Sequence, residues 1–418
     1  MVAMLCLIGT IHSLLVQDSE KQNKWLSAFS WYNNGKSLIS TKLNADSLPV
    51  LHGIRFLSIA WVVMAHSYEY AANLPQLNYL DADTAIRTWK YLALMNSPFA
   101  VDTFMVLSGL LLGYVFMKSM EKGVHFNLPM FYLHRILRVW PVLGIIVLFH
   151  STLITKLGDG LLWKYVIINE QSKLCKENWW STLLFVNNYV HVKKMCFPVS
   201  WFLSADMQLY WISPIFLFLL LKKPRFGIGA IMGGIFIGIG INFQQSYYYQ
   251  DNASIIATRG ATNDRYYYTH TRYVAWLIGL LCGYIIYKTT DWRNRVAAGR
   301  DQLSKRFVIG GWTYSTVACT AVIHWIYPLQ QVNHEYNVIE HSLYLSLSHP
   351  LWASGISWII FACISGYGGF INTLLTWKAM IPLSHLTYCV YLLHFVVLCV
   401  VMANTKTSGY VNDAEMVC

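Results

Sequence analysis

Long apolar runs constrain this chain more than any other feature of its sequence. Many of them extend over roughly 17 to 22 residues, the length that crosses the hydrocarbon core of a bilayer as an α-helix. Hydrophobic residues make up 56% of the chain and charged residues only 12%, whereas soluble domains carry about 25% charged residues. Because the runs show no period-2 alternation, the sequence predicts an all-α integral membrane protein.

The apolar runs predict about ten transmembrane helices that form one polytopic bundle. Their expected bounds are 1–15, 50–67, 96–117, 136–154, 199–221, 226–243, 272–288, 306–327, 347–366 and 381–403. The organisation that follows is a leading transmembrane helix over 1–15, a cytosolic linker over 16–49, a transmembrane domain over 50–403 and a polar tail over 404–418. A chain that opens inside a span and ends on a polar tail is expected to be part of a longer protein.

The basic residues predict the orientation of the chain in the membrane. Its formal net charge of +11 would suggest a nucleic-acid partner in a soluble protein, but here the lysines and arginines fall largely in loops between spans. We therefore predict the lipid bilayer as a partner and no nucleic acid. Four alternate connections are rich in basic residues and are placed in the cytosol, around Lys36, Lys122, Lys223 and Arg293.

Two features of the opposite loops agree with this orientation. Asn252 begins a glycosylation sequon, Asn-Ala-Ser, in a loop placed outside, although such sequons also arise by chance. Cys175 and Cys196 lie in another outside loop, where oxidation is permitted; we expect a disulfide, with two idle thiols as the alternative. Both features favour a multi-pass protein of the secretory pathway or plasma membrane.

Two ionisable residues, Arg55 and His66, lie in one predicted span. Eleven residues of helix rise roughly 16 Å and complete close to three turns, so both side chains point to much the same face. Ionisable residues inside a membrane need a partner or a function, and histidine can take and return a proton near neutral pH. Arg55 could instead be an interfacial anchor, and His66 a histidine satisfied by another helix.

Arg135 and Arg138 form a second candidate site. Residues three apart share a helix face, and two guanidinium groups there suit phosphate groups, although interfacial anchoring explains them equally well.

Further polar residues inside spans are candidates for a shared cavity. Asp102 is expected at about the depth of His66, where it could orient or charge that ring, with capping of its own helix as the alternative. For Asp206 we expect a hydrogen bond within the bundle rather than catalysis. The remaining cavity candidates on these grounds are Ser108, Trp201, Tyr388 and His394. We find no metal-ligand spacing, no glycine-rich phosphate loop and no Gly-x-Ser-x-Gly motif, so we predict no metal and no bound cofactor.

The order of the motifs resembles the acyltransferase family 3 membrane proteins, and among them the animal "nose resistant to fluoxetine" group. The matching segments are Leu51-His52-Gly53-Ile54-Arg55 through His66, Val101-Asp102-Thr103-Phe104 with Leu107-Ser108-Gly109, His134-Arg135-Ile136-Leu137-Arg138, Trp201-Phe202-Leu203-Ser204, Thr271-Arg272-Tyr273 and Leu383-Ser384-His385-Leu386-Thr387-Tyr388. The resemblance covers residues from about 25 to 400. The sequence departs from it at Met105, where an aromatic residue is usual, and at His385, where the animal group often has arginine.

This resemblance implies an O-acyltransferase with acyl-CoA as co-substrate on the cytosolic side and a sugar or lipid acceptor. It implies that Arg55, Arg135 and Arg138 hold donor phosphates and that His66 is catalytic. We add Asp102 to the catalytic candidates because of its expected depth, and Arg272, which lies in one of the matching segments, to the cavity candidates. The amino-terminal extracytoplasmic domain of the animal group is missing from this sequence, which leaves capture of the acceptor open.

Two other functions stay open. A proton-coupled transporter or lipid carrier would use the same intramembrane Arg, His and Asp residues, although no internal repeat of the kind common in transporters is visible. A sensor or scaffold could retain the fold without turnover.

Overall fold

The computed structural model describes residues 2–16, 23–43, 47–72, 74–253 and 263–410. Over this part of the chain the structure is helical, and the β-pairing found there is a single isolated bridge between Gln76 and Gly409. The prediction of an all-α membrane protein is confirmed. The α-helices are α1 (Val2–Leu15), α2 (Lys24–Ala28), α3 (Trp31–Ile39), α4 (Val50–Ala72), α5 (Tyr79–Ile86), α6 (Leu92–Met95), α7 (Pro98–Glu121), α8 (Leu128–Thr152), α9 (Lys173–Leu183), α10 (Trp201–Lys222), α11 (Pro224–Tyr249), α12 (Thr269–Lys288), α13 (Thr290–Ala297), α14 (Lys305–Leu329), α15 (Val338–Ile364), α16 (Gly369–Leu375) and α17 (Met380–Asn404).

The predicted count of about ten spans is not confirmed. Among the described residues, seven helices are long and apolar enough to cross a membrane, and an eighth qualifies if α12 and α13, bent by 58° at their junction, form one span. The seven are α4, α7 with the short helices before it, α8, α10, α11, α15 and α17. Of the other predicted spans, α1 is shorter, and α14, which contains a stretch of low hydropathy over 310–316, is not among the seven.

The described residues divide into two compact units. The first consists of residues 1–56 and 370–388 and holds α1 to α3, the start of α4, α16 and the start of α17. Within it α1 approaches α2 so closely that a Cβ on Gly9 would lie 2.4 Å from the carbonyl oxygen of Leu26. The segment 16–49, which the sequence predicted as a linker, contains the two short helices α2 and α3.

The second unit, residues 57–369 and 389–418, is centred on α7 and α12. A Cβ on Gly109 of α7 would lie 2.2 Å from the Trp276 carbonyl oxygen, and a Cβ on Gly279 of α12 would lie 2.2 Å from that of Val106. Gly283 makes the same approach to Leu110, at 2.1 Å. Gly279 meets Val106 and Gly283 meets Leu110, so a step of four residues along α12 corresponds to a step of four residues in the same direction along α7. The helices α7 and α12 therefore run parallel, with small residues between their backbones.

Candidate active site

A cavity of about 780 Å³ lies within the second unit, and all of its lining residues belong to that unit. Its wall is largely apolar and aromatic, with a small number of ionisable groups, as expected of a ligand site. The ionisable lining residues other than tyrosine are His66, Glu69, Asp251, Arg265, Arg272 and His349. Of the residues singled out from the sequence, His66, Trp201, Arg272 and Asn252 line this cavity.

His66 is hydrogen-bonded to a second histidine. Its Nδ1 lies 2.9 Å from Nε2 of His394 on α17, and the two ring planes differ by 6°. Nδ1 of His394 lies 3.1 Å from the carbonyl oxygen of Val390, which can only accept. With both rings neutral, His394 therefore donates through Nδ1 and accepts through Nε2, so His66 donates through Nδ1. This tautomer leaves Nε2 of His66 with its lone pair, available to a ligand.

Asp102 pairs with two residues that line the cavity. It is fully buried, and its Oδ2 lies 2.7 Å from Nδ1 of His349 and 3.2 Å from Nη1 of Arg272. The Arg272 guanidinium also lies over the ring of Tyr266, 4.4 Å from its centroid. The expectation that Asp102 orients His66 was wrong. Among the described residues, Asp102 is paired with Arg272 and His349, and the residue hydrogen-bonded to His66 is His394.

The parallel packing of α7 and α12 accounts for this ion pair. Asp102 stands seven residues before Gly109, and Arg272 stands seven residues before Gly279. Because seven residues are nearly two helical turns, Asp102 and Arg272 lie on the same helix faces as the glycines that follow them. Parallel helices that touch at these glycines therefore also bring Asp102 and Arg272 together. The small residues thus set the register in which the carboxylate meets the guanidinium.

Arg135 and Asp206 belong to a different cluster. Asp206 accepts from Arg135 and from Ser108, and the Arg135 guanidinium lies 5.0 Å from the ring centroid of Tyr210. None of these four residues lines the cavity. Arg135 is thus held inside the bundle, whereas Arg138, one helical turn later, is exposed and makes no hydrogen bond or ion pair with a described residue.

Other predicted residues fall in different places. Arg55 lies on the same uninterrupted helix as His66, but in the part that belongs to the first unit, as does Tyr388 on α17. A common phosphate site for Arg55, Arg135 and Arg138 stays a prediction. In that first unit Nδ1 of His52 lies 2.5 Å from Oγ of Ser384.

The residues predicted for modification lie in the second unit. Cys175 and Cys196 are joined by a disulfide. Glycosylation of Asn252 stays a prediction, and Ser254 of its sequon lies outside the described residues.

Sequence reasoning missed His349 and Glu69 as cavity residues. His349 is an ionisable residue within a predicted span, the signal already used for His66, and could have been found in that way. Glu69 stands just beyond the predicted end of its span at residue 67, but α4 continues to Ala72 and carries it one turn past His66.

Comparison with known proteins agrees with the resemblance noted in the sequence. An acyltransferase domain family model (Acyl_transf_3) matches residues 48–409. The chain is 28% identical to nose resistant to fluoxetine protein 6 of Caenorhabditis elegans, over 94% of this chain and 52% of that protein. It is also 28% identical to the regulator of hypoxia-inducible factor 1 of the same species, over 67% of this chain and 57% of that protein.

A bacterial protein gives a weaker match. A Staphylococcus aureus protein named as a candidate O-acetyltransferase is 25% identical over 57% of this chain and 35% of its own length. The chain spans about half the length of the two nematode relatives. No solved structure matches it.

Proposed function

Because the chain belongs to this acyltransferase domain family, whose model covers residues 48–409, we propose that it is a membrane-bound O-acyltransferase. The donor is an acyl-CoA that reaches the protein from the cytosol, and the acceptor is a hydroxyl group of a sugar or lipid. The observation that carries the proposal is the His66–His394 pair, because its tautomer leaves a basic nitrogen on a residue that lines the cavity.

In this reaction His66 acts as general base and then as general acid. The proton of the acceptor hydroxyl passes to Nε2 of His66 while the acceptor oxygen attacks the thioester carbonyl carbon. The carbon–sulfur bond breaks, and the imidazolium returns its proton to the departing CoA thiolate. His394 keeps its hydrogen bond to Nδ1 throughout, so it orients His66 and stabilises the transient positive charge.

The surrounding residues position the substrates. Arg272, whose charge Asp102 balances, forms part of the wall beside Trp201. For the donor phosphates, exposed Arg138 supplies a cation free to bind them, whereas Arg135 is paired with Asp206 and positions the helix.

The proposal is tested by turnover of purified protein in detergent with radiolabelled acetyl-CoA and a panel of sugar and lipid acceptors. We expect CoA release that depends on the acceptor and falls by about 100- to 10,000-fold in His66→Ala, the usual contribution of a general base. His324→Ala is the matched control, because His324 lies on α14 and does not line the cavity. Full turnover in His66→Ala, or none in the wild type with every acceptor, would reject the assignment.

A proton-coupled carrier is the alternative that one observation favours. Asp102 and His349 form a buried hydrogen bond beside the cavity. Pairs of intramembrane aspartate and histidine residues serve as proton relays in transporters. Solute uptake into liposomes that follows an imposed pH gradient, in protein that does not release CoA, would support the carrier instead.

A further inference from the structure

Glu69 is a cavity carboxylate to which the proposed reaction gives no part. It lies on α4, three residues after His66, so the two side chains project from the same helix face one turn apart. Both residues line the cavity. Glu69 forms no hydrogen bond or ion pair with any residue that the structure describes. A carboxylate so placed is open to a ligand.

The other charges of the cavity wall are balanced within the protein. Arg265 forms an ion pair with Asp251, and Arg272 forms one with Asp102. No lysine lines the cavity in the described part of the chain. When it is ionised, Glu69 therefore gives the cavity an excess of negative charge, and this charge attracts cations and repels anions.

Tyrosine rings surround the same space. Tyr68, Tyr70, Tyr91 and Tyr267 line the cavity, and the rings of Tyr68 and Tyr91 meet edge to face with centroids 6.2 Å apart. Tyrosine faces attract ammonium groups, and cages of aromatic rings are a recurring way in which proteins hold quaternary ammonium ligands. The cavity itself already contains one such contact, the Arg272 guanidinium over Tyr266.

We propose that the acyl acceptor is an amino alcohol, with an ammonium group held by Glu69 and the tyrosines while its hydroxyl group faces His66. This inference rests on the proposed function, because it assigns the acceptor of that reaction. Side chains three residues apart on a helix have Cβ atoms about 5–6 Å apart, so ammonium and hydroxyl are separated by a short spacer of roughly two or three carbons. The ammonium keeps its positive charge, and the acyl group moves from sulfur to the acceptor oxygen.

The test compares pairs of acceptors that differ in charge. Choline and its neutral isostere 3,3-dimethylbutan-1-ol form a water-soluble pair. A long-chain 2-amino alcohol and its N-acetyl derivative form a lipid pair, which separates a headgroup acceptor from a soluble one. We expect kcat/KM for the charged member of at least one pair to exceed that of its neutral partner by about tenfold or more.

Two variants of Glu69 separate its charge from its shape, because Glu69→Gln removes the charge and Glu69→Asp keeps it on a shorter side chain. Glu69→Gln should abolish the preference for the charged acceptor, and Glu69→Asp should restore part of it. Glu121→Gln, at the opposite end of α7 from Asp102, is the charge-matched control and should keep the full preference. Because each variant is judged by a ratio between two acceptors, a general loss of folded protein cancels.

The two proposals fail in different ways. Equal transfer to charged and neutral acceptors, or a preference that survives Glu69→Gln, overturns the amino alcohol while His66-dependent transfer keeps the acyltransferase. If no acceptor is acylated, the acyltransferase fails, and equilibrium binding of radiolabelled choline to His66→Ala protein then tests the cation site by itself. Loss of choline binding when Glu69→Gln is combined with His66→Ala supports the site, and absence of saturable binding to the His66→Ala protein rejects it.

Discussion

Nδ1 of His66 and Nε2 of His394 lie 2.9 Å apart although the two residues are 328 positions apart in the chain. The second histidine is itself fixed by the Val390 carbonyl oxygen. The Val390 carbonyl oxygen thus sets the tautomers of both histidines. His394 therefore has a positioning role, which experiments can separate from the chemical role of His66.

Substitutions of His394 should lower kcat while leaving KM for acyl-CoA little changed. His394→Ala removes the acceptor of the His66 Nδ1 proton, so His66 loses its fixed tautomer, and we expect a loss of about 10- to 100-fold, as for other groups that orient a ligand or base. His394→Gln, whose amide oxygen can accept the same proton, should retain more activity than His394→Ala. Steady-state kinetics in detergent measures both values. Equal losses in the two variants would contradict a role based on the hydrogen bond.

Removal of one partner of the Asp102–Arg272 pair should destabilise the protein strongly. The Asp102 side chain has an exposure of 0% and that of Arg272 4%, and breaking a buried pair costs about 3–5 kcal/mol, because it leaves one charge uncompensated. Asp102→Asn should therefore lower the unfolding temperature, and the double variant Asp102→Asn/Arg272→Gln should recover part of the loss. Thermal unfolding in detergent measures the effect.

The control for this experiment is a more exposed ion pair. Lys193 and Asp264 lie 3.8 Å apart, with 59% of the lysine side chain exposed. Lys193→Ala should change stability by less than about 1 kcal/mol. A double variant at Asp102 and Arg272 no more stable than Asp102→Asn would show that the pair does not account for the effect.

Arg135→Ala and Arg138→Ala should have different effects, although the two arginines are three residues apart. Loss of Arg135 leaves Asp206 without its cation inside the bundle, so the main effect should be on the unfolding temperature. Loss of exposed Arg138 should leave stability unchanged and raise KM for acyl-CoA about tenfold, the equivalent of about 1.4 kcal/mol of binding. Kinetics and thermal unfolding of both variants distinguish the roles, and a shared increase in KM with unchanged stability would favour a joint phosphate site.

The helical membrane fold could be predicted from the sequence because its cause is local. Apolar runs are a property of consecutive residues, and α4, α8, α10 and α17 were all found in that way. The count failed at α1, which is too short, and at α14, which contains a stretch of low hydropathy over 310–316.

The site was harder to predict because its contacts join distant segments. His66 was identified from one span, but its partner on α17 depends on how helices pack, and the same holds for Asp102 with His349 of α15. One informative pattern was present in the sequence: Gly109 and Gly113 on α7, and Gly279 and Gly283 on α12, each pair four residues apart. That spacing could have predicted the contact between α7 and α12, and with it the meeting of Asp102 and Arg272.

The contact between α7 and α12 gives the sharpest prediction about stability. Gly279→Ala would place a Cβ 2.2 Å from the carbonyl oxygen of Val106. Since backbone rather than a flexible side chain stands in the way, the helices must separate, and we expect a loss of about 1–3 kcal/mol. The shift would also disturb the register of Arg272 against Asp102, so activity should fall together with the unfolding temperature. Gly229→Ala on α11 is the matched control, because a Cβ there meets nothing within 4 Å, and alanine favours a helix by up to about 1 kcal/mol. Equal stability of the two variants would mean that α7 and α12 do not touch at these glycines.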